Sequence, residues 1–222
     1  VAPDTVPFKN VLGKRLGSYI KQQHDNEGVQ FHLEQKAQRI QSEDNGLKLV
    51  LSDGSELVAD FVVVGIGVTP ATNMLAGLNK AEDGGVKVDA TLKATDDVYV
   101  AGDIAQFPLA LTNKQVRIEH WRLAAQHGRL AARNMLGSDE AYSGVPYFWT
   151  AQPGLKLRYV GHAEDFDQVY FDASPDAEEG FIAYYLKDNA VHAAAGSGRD
   201  KELAALEHLM KQGKAPTATE VK

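Results

Sequence analysis

Thr95-Asp96-Asp97-Val98-Tyr99-Val100-Ala101-Gly102-Asp103-Ile104-Ala105-Gln106-Phe107-Pro108 is the stretch on which the reading of this chain turns. Val98 to Val100 is β-branched and apolar, the make-up of a strand. It stops at a turn of small residues that carries one carboxylate, Asp103. In open α/β sheets, ligands sit in the crevice outside the carboxyl ends of the strands. Gly102 has no Cβ, so a ligand or another backbone can come close there. An ionised Asp offers only acceptors, which suits the hydroxyls of a sugar or ribityl chain. On these residues alone, an aspartate closing an Asx-type bend is an equal reading.

The neighbouring stretches have patterns of their own. Upstream, Phe61-Val62-Val63-Val64 is a near-continuous apolar run, as expected of a strand covered on both faces. It leads into the Gly-x-Gly-x-x-Pro turn Gly65-Ile66-Gly67-Val68-Thr69-Pro70. Before it, Leu12, Leu16 and Ile20 recur at helical spacing, with Lys14, Arg15 and Lys21 turned outward. Val29 to Leu33 reads as a short strand. Leu47 to Leu51 and Glu56 to Ala59 read as a hairpin about Asp53-Gly54. Together these give the back half of an α/β nucleotide-binding unit. No G-x-G-x-x-G opens a helix anywhere in the 222 residues, and Pro70 opposes a phosphate-binding helix after Gly67.

Downstream, residues 79–95 form a connector with a strand at Val86 to Val88, and residues 108–114 form a loop. Val116-Arg117-Ile118-Glu119-His120-Trp121 then enters a helix running to Leu136, with Leu123, Gln126, His127, Leu130, Ala131 and Asn134 on one stripe. Gly137 stops it. After a linker at 138–147 come Phe148-Trp149-Thr150 and four strands: Leu155 to Val160, Gln168 to Phe171, Phe181 to Leu186 and Val191 to Ala195. A helix carrying Leu203, Leu206 and Met210 follows, with Asp200 as its expected N-cap. Strands followed by a helix, all local in sequence, describe an α+β module.

Composition narrows the chemistry. An apolar share of 44% and a charged share of 24% are those of a globular protein. A net charge of −7 argues against nucleic acid as a partner. No apolar run reaches the roughly 18 residues a spanning helix needs, and the placement expected is cytoplasmic. With no cysteine, these residues hold no disulfide, thiolate zinc site or iron–sulfur ligand. There is no Gly-x-Ser-x-Gly elbow and no His-Glu-x-x-His, so hydrolysis has no constellation to rest on.

In their order and separations, the stretches at 61–73, 95–108, 116–121 and 145–150 resemble one family, the FAD-dependent pyridine nucleotide-disulfide oxidoreductases with two dinucleotide domains. Within it the similarity is to the apoptosis-inducing-factor-like branch, related to Rieske-associated and oxygenase-type ferredoxin reductases. The fold class this implies is α/β and α+β, a partial FAD/NAD(P)-binding fold plus a carboxyl-terminal α+β reductase domain. The implied division is 1–70 as the back half of the NAD(P)-binding domain, 71–140 as the end of the FAD-binding domain, and 141–222 as the reductase domain. Two glycine fingerprints are expected before Val1, so the chain reads as the carboxyl-terminal part of a longer protein that would not bind FAD tightly alone.

The resemblance also assigns roles. Asp103 would bond the ribityl chain of FAD, with Gly102 letting the cofactor pass close by. Glu119, His120 and Trp121 would lie at a helix amino end that favours the negative charge of reduced flavin. Trp149 would cover the flavin or the stacked nicotinamide, with core packing as the alternative. Gly67 would sit at the nicotinamide nucleotide, and Arg158 near it. NADH and NADPH both stay open, because Asp4 departs from the usual strand-end glutamate. The implied activity carries electrons from NAD(P)H through FAD to an iron–sulfur protein or domain. The other roles open to these residues are that of an interaction fragment, with the carboxyl-terminal strands and helix as the face of a homodimer, and that of an NADH-flavoprotein in signalling.

Overall fold

The computed structural model describes residues 1–44 and 46–222, which fall into two compact units. The first comprises residues 1–67 and 151–157. Its helix α1 (Lys9–Asn26) buries Leu12, Leu16 and Ile20 as their spacing requires. Gly13 interrupts it at φ 76°, and Gly17 packs so closely that a Cβ would strike the Pro7 carbonyl. Strands β1 (Ala37–Glu43), β2 (Gly46–Leu51) and β3 (Glu56–Ala59) form an antiparallel meander in that order. The Asp53-Gly54 turn between the last two holds Gly54 at φ 85°, and the Asp53 carboxylate takes the Ser55 N–H at 2.9 Å.

Two expectations for this unit are corrected. Val29 to Leu33 is not a strand; it makes a single parallel bridge from Leu33 to Ala2. Phe61 to Val64 is neither paired nor covered. The chain there forms no regular element, with Phe61 75% and Val63 84% exposed and Ile66, just beyond, 92%. A buried strand needs neighbours for its backbone groups and a layer on each face. No described strand pairs with this run. The unit is therefore a helix with an antiparallel sheet, rather than the parallel arrangement its apolar run suggests.

The second unit holds residues 68–150 and 158–222. Its first part contains β4 (Val86–Lys87), β5 (Lys93–Thr95), β6 (Val98–Tyr99), β7 (Ala105–Pro108), β8 (Gln115–Val116) and the helix α2 (Trp121–Met135). β4 runs parallel to β7, and β8 pairs with β7 antiparallel. Val86, Leu92, Phe107, Leu109, Leu123 and Leu130 meet in one core. Of the stripe on α2, Leu123, His127, Leu130, Ala131 and Asn134 are buried together, while Gln126 is half-buried at its edge.

Further along are β9 (Tyr147–Gln152), β10 (Leu155–Gly161), β11 (Gln168–Phe171), β12 (Phe181–Lys187) and β13 (Ala190–Ser197), in the antiparallel order β11-β12-β13-β10-β9. Helix α3 (Asp200–Lys211) lays Leu203, Leu206 and Met210 in a core with Val160, Ile182 and Ala194. A short α4 (Ala218–Val221) closes the chain with a Thr217–Glu220 capping box. Sequence periodicity missed β9, where Tyr147-Phe148-Trp149 interrupts the alternation. The N-cap of α3 is Arg199; Asp200 lies one residue inside and pairs with Arg158 at 2.9 Å.

Candidate functional site

The strand β6 ends at Tyr99, and a 3-10 turn, Gly102–Ile104, follows directly. Gly102 holds φ 76°, a conformation costly for any residue with a Cβ. An ideal Cβ there would lie 3.1 Å from that of Ala124, so the close approach Gly102 permits is to α2. The Gly102 N–H donates to Nδ1 of His127 at 3.3 Å. The next residue, Asp103, is exposed, and its carboxylate has no partner among the described residues. Its carbonyl oxygen accepts from Nη1 of Arg117 at 3.0 Å.

Arg117 and Glu119 lie on the extended approach to α2, two residues apart and so on the same side of the chain. The same Arg117 Nη1 donates to Glu119 Oε1 at 2.6 Å, and Nε donates to Asp83 Oδ2 at 2.5 Å. That hydrogen bond, together with the Gly85 N–H, holds the Asp83 carboxyl below its ordinary range. His120 is the N-cap of α2. Its Nδ1 accepts the Arg122 N–H at 3.2 Å, which satisfies one of the donors the first turn leaves over. An imidazole that accepts at Nδ1 while neutral carries its proton on Nε2.

Aromatic rings gather around that helix start. The His120 ring centroid lies 5.8 Å from that of Trp121, 6.3 Å from Trp149 and 6.4 Å from Phe148. The two indoles meet edge to face at 6.0 Å and 85°. Trp121 is 67% exposed and Trp149 52%, so neither indole is core packing. Beneath them the packing is dense: Phe148 stacks on buried Tyr159 at 4.6 Å, and Arg122 lies over the Tyr147 ring at 4.9 Å. The gap lined by Ile118, His120, Leu123 and Phe148 has only about 20 Å³, space for no more than one water.

The second unit thus carries together Asp103, Glu119, the capped start of α2 and the two indoles. Gly67 lies in the first unit at φ 101°, exposed, with nothing within 4 Å of an added Cβ. Arg158 is engaged by Asp200. Arg117 and His127 also belong to the site, although the sequence alone assigns neither a role. The signal for Arg117 was its i, i+2 relation to Glu119; His127 left none, because a histidine on a buried stripe looks like any core residue. Among the described residues no group of three or more potential metal ligands gathers, and no helix is long and apolar enough to cross a membrane.

This arrangement suits a cofactor bearing hydroxyls and a ring that gains negative charge. An unpaired, acceptor-only carboxylate stands beside a helix amino end of partial positive charge, next to exposed aromatic faces.

Comparison with known proteins bears on that fit. Residues 4–128 match the family described as pyridine nucleotide-disulphide oxidoreductase, and residues 147–222 match that described as reductase C-terminal. The chain is 36% identical over 224 residues to apoptosis-inducing factor 3 of Homo sapiens, covering 98% of this chain and 37% of that protein. It is 30% identical to the ferredoxin–NAD(+) reductase component of the anthranilate 1,2-dioxygenase system of Burkholderia cepacia, covering 94% and 52%. The crystal structure of the ferredoxin reductase for the CYP199A2 system of Rhodopseudomonas palustris superposes with a TM-score of 0.89 at 29% identity, covering 99% and 55%. The chain therefore spans between about a third and about half the length of these relatives.

Proposed function

The chain belongs to the pyridine nucleotide-disulphide oxidoreductase family, and from that premise we propose that it is the carboxyl-terminal part of an FAD-dependent NAD(P)H oxidoreductase delivering electrons to an iron–sulfur protein or domain. The observation that carries this reading is the free Asp103 carboxylate, on a turn whose Asp103 carbonyl oxygen is tied through Arg117 to Glu119 just before α2. Bound FAD would supply the step between hydride and single-electron transfer.

The chain's own residues do the rest. Asp103 accepts hydrogen bonds from cofactor hydroxyls, with Gly102 setting the turn that presents it. The amino end of α2, at Glu119, His120 and Trp121, offers unsatisfied N–H groups to the ring edge that becomes negative on reduction. Trp149 and Trp121 exclude water from one ring face and gate nicotinamide access, and Gly67 leaves room for the nucleotide. In this reading residues 1–70 finish an NAD(P)-binding domain, 71–140 finish an FAD-binding domain, and 141–222 supply the covering module. The expected place of the reaction is the cytoplasm.

A second reading rests on the exposure of the two indoles. Large aromatics at a surface are common anchors of protein interfaces, and the same face could join two copies into a homodimer. Replacing Trp149 by Ala in the complete protein separates the two. A shifted flavin spectrum with unchanged mass in solution supports the cofactor reading. Loss of self-association with an unchanged spectrum supports the other.

A further inference from the structure

Asp103 and Glu119 come from different elements, yet one side chain holds both. Arg117 is 14% exposed and spends its guanidinium on three acceptors: the Asp103 carbonyl, Glu119 Oε1 and Asp83 Oδ2. Its stem lies against Gly85, where an added Cβ would come within 2.7 Å of Arg117 Cδ. Asp83 is itself fixed by the Gly85 N–H at 3.0 Å. A solvated surface pair would have none of this support.

What Arg117 leaves alone matters as much as what it binds. It takes the backbone oxygen of Asp103 and not the carboxylate, while Asp83 and Glu119 balance its charge. The Asp103 carboxylate is thereby kept both positioned and free.

We propose that Arg117 is a positioning residue that locks the Gly102–Ile104 turn against Glu119 and the start of α2, so that the Asp103 carboxylate stands ready for the cofactor. The inference rests on the FAD reading above and assigns Arg117 no contact with the cofactor. The fork geometry is essential: a planar guanidinium reaches acceptors in separate directions at fixed angles, which a lysine ammonium does not.

The test uses the complete protein, stripped of flavin and titrated with FAD, in three variants: R117Q, R117K and D103N. R117Q is expected to weaken FAD binding on the order of 10- to 100-fold, the effect of losing hydrogen bonds from a charged group. Its far-UV circular dichroism should be unchanged. Its flavin midpoint potential should fall, because an unbalanced Glu119 carboxylate opposes the negative charge of the reduced ring. R117K should recover only part of the affinity. FAD binding as tight as the parent's in folded R117Q, with D103N impaired, would overturn the role of Arg117 while leaving that of Asp103 intact. Complete recovery in R117K would overturn it too, since charge alone would then suffice. If R117Q does not fold, R117K decides: impaired binding supports the lock, and parental binding defeats it. Unaltered binding in D103N would instead sink the cofactor reading on which the inference stands.

Discussion

The Gly102 N–H points into the flank of α2 and is accepted there by Nδ1 of His127 at 3.3 Å. This bond joins the turn that presents Asp103 to the helix whose amino end lies beside it. His127 is fully buried between Phe107 and Tyr142, each 4.6 Å away ring to ring and close to perpendicular. Its Nε2 is buried without a hydrogen-bond partner among the described residues. Burial, which would set a full charge among aromatic rings away from water, pushes this imidazole down to about 4.

A pH dependence follows. An unfolded histidine titrates near 6.5, so between that value and about 4 the unfolded chain binds a proton that the folded chain refuses. The contribution is complete above about pH 7 and is lost as pH falls toward 4, by roughly 2 kcal/mol between pH 7 and 5. Urea unfolding at the two pH values should show that loss in the parent. H127L should start from lower stability, because the Gly102 donor is orphaned, but should decline less on acidification. Equal slopes would contradict the assignment.

Gly102 and Gly54 both hold positive φ, 76° and 85°, but only the first has a close neighbour across the turn. G54A should lose about 1–2 kcal/mol, the cost of the left-handed backbone alone. G102A adds the contact with Ala124 and should lose about 2–4 kcal/mol. Denaturant midpoints measured side by side give the order, and G54A proving the more damaging would contradict the packing described here.

How much of this was legible in the sequence varied with the distance over which each element is decided. α2 and α3 carry their own periodicity, and Asp53-Gly54 carries its own turn chemistry, so all three appear where expected. Phe61 to Val64 failed because apolarity states what a segment would prefer to touch and cannot provide the neighbour. The residues of the site could be named, but not their linkage. Arg117 bonds to Asp83 and Asp103 through chain reversals no local pattern encodes. Gly102 reads as room for a ligand or another backbone, and the atoms nearest its missing Cβ belong to Ala124 of α2.

The two-residue turn between β12 and β13 places Asp188 at φ 49° and Asn189 at φ 66°. Successive left-handed residues are those of a type I′ hairpin, which Asn and Gly tolerate and β-branched residues do not. N189G should stay within about 0.5 kcal/mol of the parent, its easier turn offset by a freer unfolded chain. N189V should lose about 1–2 kcal/mol. Thermal unfolding of both variants would show it, and parental stability in N189V would contradict the turn assignment.

Asn134 is 4% exposed, and its amide works at both ends. Nδ2 donates to the Thr91 carbonyl at 2.8 Å and to the Glu140 carbonyl at 2.9 Å, while Oδ1 accepts the Glu140 N–H at 2.8 Å. One side chain therefore ties the loop before β5 to the segment that leaves α2. Removing it takes from three backbone groups the partner that Asn134 supplies. N134A should cost about 3–4 kcal/mol by that count. N134D is the sharper probe, because a carboxylate keeps the acceptor but turns two donated bonds into repulsion with the Thr91 and Glu140 carbonyls. It should be at least as damaging at pH 7 and should recover partly as the pH falls and the acid protonates. Chemical unfolding at pH 7 and 5 measures both. If N134D matched the parent at neutral pH, the donors assigned to Nδ2 would have to be wrong.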